Sequence, residues 1–135
     1  MSEYLSSPDP RSTAKIAGHP VHPMLVVFPI SFLVGTFLCD VAYWIDGDPG
    51  FATAAVWLLG LGILTALLAA LAGFTDFMGE SRIRRLGASW QHMIGNLVAV
   101  ALAIASLVVR LEAGAEQAVI PVGLLLSTAV VVILV

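Results

Sequence analysis

Gly18-His19-Pro20-Val21-His22-Pro23-Met24-Leu25-Val26-Val27-Phe28-Pro29 sets two histidines and three prolines at the mouth of a long apolar run. A proline in the first turn of a helix sacrifices no helical hydrogen bond, because that N–H has no partner there. The stretch therefore reads as the start of a helix near Pro23 that continues to about Trp44. Pro29 removes a backbone bond inside the run, so a kink is expected within the first two turns. Ser31, Gly35 and Cys39 recur every fourth residue, a small-residue seam on which a second helix can pack closely. Tyr43 and Trp44 suit a membrane–water boundary, and Asp46-Gly47-Asp48-Pro49-Gly50 is a strong turn.

Composition says what surrounds such a helix. The chain has 135 residues, 59% hydrophobic and only 11% charged, whereas a soluble domain carries about a quarter charged. The solvent for most of it is lipid. The formal net charge of -3 leaves no basic face for nucleic acid. Cys39 is the only cysteine, which excludes an intrachain disulfide and a thiolate metal cluster. Residues 1–18 are polar and lack the short apolar core of a cleaved secretory signal. They read as a flexible cytoplasmic tail, and the first apolar run reads as an anchor.

Residues 19–135 read as one four-helix transmembrane domain, with helices at about 22–44, 51–76, 89–111 and 117–135. Roughly 25 residues of the second helix span about 37 Å, enough to cross a ~30 Å core with tilt. Gly62, Ala66, Ala69, Gly73 and Asp76 share one stripe, small residues ending in a carboxylate. Ser89 is the expected N-cap of the third helix. His92, Asn96, Ala99, Ala103, Ser106 and Arg110 hold all of that helix's polar content on one face, which is expected to turn into the bundle. Pro121 falls in the first turns of the last helix, whose roughly 18 residues are near the minimum for a span.

Arg11, Lys15, Arg82, Arg84 and Arg85 lie on one side of this topology and Arg110 alone on the other. The bias places both termini in the cytoplasm. The cytoplasmic layer then gathers His19 and His22 from the first helix, Asp76 and Glu80 from the second, and His92 and Asn96 from the third. Every histidine of the chain converges there, from segments far apart in sequence.

Neutral imidazole ligates haem iron, copper and zinc. Two histidines on facing helices can hold a haem axially in a bundle core, with Asp76 and Asn96 orienting the imidazoles. His22 with His92 is the expected pair. His19, His22 and His92 are the alternative use of the layer, as ligands of a metal ion. A hydrolytic zinc site would need a water-filled pocket that the sequence does not display. The plainer reading takes the histidines as interfacial polar groups, Asp76 as a partner of helix-terminal amides or an arginine, and His92–Asn96 as an interhelical hydrogen-bond pair. On the opposite side, Asp40 and Arg110 are expected to form a structural ion pair across the bundle, since intramembrane charges usually pair. Otherwise Asp40 reaches interfacial water alone.

The run His19-Pro-Val-His22-Pro-Met-Leu-Val-Val-Phe-Pro29, with Asp40, Leu-Ala-Gly-Phe-Thr-Asp76 and His92-Met-Ile-Gly-Asn96, resembles a bacterial family of predicted membrane proteins, the domain of unknown function 2231. The likeness covers about residues 18–135. It implies a four-helix inner-membrane protein with no established activity. Fusion of some relatives to Rieske iron–sulfur domains hints at electron transfer. Relatives often carry a further histidine where this chain has Val27, and continue past the fourth helix into a Gly-Gly segment where this sequence ends at Val135.

Three functions fit these observations. The first is a haem b- or metal-binding redox module of the bacterial inner membrane, a binding protein rather than an enzyme. The second is a cofactor-free accessory subunit that packs against itself or a larger membrane complex. The third is part of a proton or small-solute pathway, for which four short helices in one chain leave little room.

Overall fold

The computed structural model describes residues 15–16, 19–79, 81, 85 and 87–135. It is all-helical apart from a two-residue antiparallel pair, β1 (Lys15–Ile16) with β2 (His19–Pro20). Most of the tail lies outside the described residues, as do Glu80, Arg82 and Arg84 of the connector.

The helical chain opens with α1 (Val21–Leu25) and α2 (Val27–Asp46), one near-continuous helix interrupted at Val26. Pro29 accounts for the break. It has no N–H to give the Leu25 carbonyl, and its ring crowds that carbonyl. Bonding resumes around the gap, with Val26 N–H to His22 O at 3.1 Å and Ile30 N–H to Val26 O at 3.4 Å. The helix ends at Gly47, whose φ of 74° is the left-handed conformation that glycine adopts without strain, and whose N–H caps the Tyr43 carbonyl at 2.8 Å. Two residues later α3 (Pro49–Gly79) begins, with the Asp48 carboxylate accepting the Gly50 N–H at 2.7 Å.

α4 runs Gly87–Ala113. Ser89 therefore lies inside its first turn rather than at its N-cap. The last helix differs most from expectation. Val119–Gly123 is a wide, irregular turn, and regular helix, α5, spans only Leu124–Leu134. Ile120 is extended, with φ -119° and ψ 127°, the conformation that a following proline imposes. Three segments, Val21–Asp46, Pro49–Gly79 and Gly87–Ala113, are long and apolar enough to cross a membrane, and Val119–Leu134 is a shorter apolar helix.

The core is Leu33 of α2, Leu59 and Ile63 of α3, Ala99 and Ala103 of α4 and Val130 of α5, with Leu102, Leu107 and Leu134 packed against it. Gly62 of α3 lets Leu33 in, since a Cβ there would sit 2.8 Å from Leu33 Cδ2. The small stripe of α3 faces the bundle, with Gly62, Ala69 and Asp76 buried. Of the Ser31–Gly35–Cys39 seam of α2, Gly35 meets α3 closely, since a Cβ there would sit 3.3 Å from Leu58 Cδ1, while α2 is most deeply buried along a neighbouring line. Pro29, Leu33, Thr36 and Asp40 are its buried residues, and exposed Ser31 bonds back to the Val27 carbonyl at 2.8 Å. The outer surface carries Trp57, Leu61, Leu64, Leu68 and Leu71 along α3 alone, all exposed. Such a continuous apolar face is the surface of a protein solvated by lipid.

Candidate functional site: a histidine pair at one end, a buried ion pair at the other

His22 is half-buried on α1, and its place is made by α3. Gly73 leaves the space: a Cβ there would lie 2.9 Å from His22 Cε1 and Nδ1. The Ala69 carbonyl, one turn earlier, stands 2.8 Å from His22 Nδ1. A carbonyl only accepts, so Nδ1 is the donor here, which in a neutral ring leaves Nε2 as the acceptor. The same arrangement fixes ligating histidines in metal proteins.

His92 of α4 meets His22 edge to face, with ring centroids 6.3 Å apart and planes at 88°. Asn96, one turn further on, donates from Nδ2 to the His92 carbonyl at 2.7 Å, and the same nitrogen is 3.2 Å from His92 Nε2. Asp76 is buried on α3, one turn beyond Gly73, and is engaged in its surroundings. Phe77 and Trp90 clasp the end of α3 to the start of α4, edge to face at 5.0 Å.

The polar face of α4 is divided. Ala99, Ala103, Ser106 and Arg110 are buried, whereas His92 and Asn96 are exposed. Near this end α5 reaches to the level of Gly95, where Ile133 Cγ2 would stand 3.8 Å from an added Cβ. The first turns of α4 before it are left without that neighbour. The His19 side chain lies outside the described residues. Among those described, no three His, Cys, Asp or Glu side chains are grouped to hold a metal ion.

At the other end, Arg110 Nη2 lies 2.7 Å from Asp40 Oδ2, and both side chains have no exposed surface. Ser127 donates to the same Oδ2 at 2.7 Å, and Arg110 Nε donates to Ser106 at 3.2 Å. Gly123 makes room for the guanidinium, since a Cβ there would fall 2.7 Å from Nη2. Sequence reasoning named Asp40 and Arg110 but missed Ser127 and the glycine seats at positions 73 and 123. Gly73 lay on the α3 stripe, yet nothing in its spacing said that an imidazole would fill it.

Residues 18–135 match the family model described as predicted membrane protein, DUF2231. The chain belongs to this family of predicted membrane proteins, whose function is unknown. No curated protein and no solved structure matches it.

Proposed function

We propose that this is a small haem-binding redox module of a bacterial inner membrane, with His22 and His92 as the imidazole pair. The observation that carries the reading is their separation. The two rings, brought in from α1 and α4, stand with their centroids 6.3 Å apart. The donor set suits haem better than zinc. A tetrahedral ion needs more protein ligands than the described residues group together, whereas His22 and His92 alone would suffice to hold a haem. When bound, the haem would supply one-electron chemistry.

The chain's own residues would hold and orient. The Ala69 carbonyl keeps His22 in the tautomer that presents Nε2. Gly73 admits the ring. Asn96 is itself fixed by its 2.7 Å bond to the His92 carbonyl and would orient the His92 ring through the 3.2 Å contact with Nε2. Asp76, buried on α3 one turn beyond Gly73, would add a carboxylate to the same end of the bundle.

The test is an absorption spectrum of protein purified in mild detergent from cells supplied with haem and iron, oxidised and then reduced, with metal analysis of the same sample. A Soret band that sharpens on reduction and disappears in His22→Ala and His92→Ala supports the reading. A featureless, metal-free sample overturns it.

One observation favours the accessory-subunit reading. His92 and Asn96 are polar side chains exposed near the start of α4, beside exposed Gln91, and a partner subunit would cover them. Cross-linking at position 92 in intact membranes distinguishes a protein neighbour from none. A relay joining Asp40 to the histidines has less support, because Leu33, Leu59, Ile63, Ala99, Ala103 and Val130 fill the layer between them.

A further inference from the structure

The buried ion pair is incompletely bonded. Asp40 Oδ2 accepts two hydrogen bonds, from Arg110 Nη2 and Ser127 Oγ. Asp40 Oδ1 and Arg110 Nη1 are equally buried and have no partner in the protein. Both atoms are closed off from solvent by the protein, and a buried polar group left unmet is costly.

The two atoms define what can bind. A cation meets the guanidinium and an anion meets the carboxylate, so neither gains net attraction. A neutral molecule that accepts from Nη1 and donates to Oδ1 satisfies both, and water does this with one bond of each kind. Free volume lies in the same layer. A mostly apolar cavity of about 10 Å³ adjoins the pair, lined by Ser106 and Ser127 with Leu33, Leu59, Ala103 and Val130, and neither Asp40 nor Arg110 reaches it. Ser106 and Ser127 are also the side chains that bond Arg110 and Asp40.

We propose that the Asp40–Arg110 pair is a binding site for one internal water, which bridges Arg110 Nη1 to Asp40 Oδ1 and turns a single-pronged contact into a closed ring. The ring is a fixed part of the fold, independent of whether the histidine end binds haem.

A crystal structure of the full chain from a lipid mesophase, at about 2 Å or better, reads the site directly. The expected result is a density peak about 2.7–3.2 Å from both atoms. A two-pronged Asp40–Arg110 contact with no peak overturns the proposal. In lipid nanodiscs, arginine-labelled protein should show magnetisation transfer from a long-lived water to the Arg110 Nη hydrogens, a signal assigned by its loss in Arg110→Lys. Visible Nη hydrogens with no such transfer overturn it equally.

Discussion

Replacing Asp40 by asparagine, with Arg110 left in place, should destabilise the protein more than replacing both charges together. Arg110 has no exposed surface, and besides Asp40 it bonds Ser106 at 3.2 Å. Removing one member of a buried pair costs about 3–5 kcal/mol, because a charge is left uncompensated. Asparagine keeps an oxygen for Ser127 and the guanidinium, which returns about 1 kcal/mol. The expected loss for Asp40→Asn is thus about 2–4 kcal/mol. Arg110→Gln should cost a similar amount, since it leaves the Asp40 carboxylate buried without its charged partner. The double variant Asp40→Asn/Arg110→Gln buries two amides that can bond each other, so its loss should not exceed the larger single loss. The coupling is then about 2–3 kcal/mol, and each 1.4 kcal/mol is roughly tenfold in the folding equilibrium. Equilibrium unfolding in mixed micelles of rising SDS content, followed by tryptophan fluorescence, measures all four proteins on one scale. Additive losses would refute the reasoning and leave the 2.7 Å contact energetically idle.

Glycine positions give a matched comparison. Gly123→Ala drives a methyl to 2.7 Å from both Arg110 Nη2 and the Ala118 carbonyl, and should cost about 1–3 kcal/mol; Gly60→Ala meets nothing within 4 Å and should cost nothing in the same unfolding assay. Gly73→Ala should push the His22 ring off the Ala69 carbonyl, shift its imidazole NMR signals and weaken any Soret band, while leaving the Asp40–Arg110 coupling unchanged. In a Cys39→Ser background, a cysteine at Asp48 should react with an impermeant maleimide from outside intact cells, and one at Arg85 only after permeabilisation. The reverse pattern would invert the proposed orientation.

The helical architecture was legible because lipid leaves few choices. Long apolar runs without charge must be helices, and Asp46–Gly50 carries its turn in its residue types. The break near Pro29 was legible for the same reason, since a missing N–H acts locally. Less legible was anything that depends on what a neighbour leaves uncovered. The α4 face from His92 to Arg110 has one helical period, yet it is buried only from Ala99 onward. Periodicity gives a face its direction, but the reach of the adjoining helix decides where cover stops. The irregular turn at Val119–Gly123 was hidden in a similar way. Pro121 alone fits a first turn, and it is the extended Ile120 before it that delays the helix to Leu124. At the candidate site the side chains were readable, but the Ala69 carbonyl that holds His22 has no side-chain signature at all.

Asp40 and Arg110 are separated by 70 residues of chain. At a synthesis rate of 5–20 residues per second, the carboxyl leaves the ribosome roughly 4–14 seconds before its guanidinium. During that interval α2 has no arginine to complete its buried face, so Asp40 must stay near the headgroups. Final seating of the first hairpin therefore waits for the second. A force profile recorded during synthesis should show a late pull as Arg110 enters the membrane. Asp40→Asn should move that pull earlier or abolish it, and an unchanged profile would mean that the first hairpin settles alone.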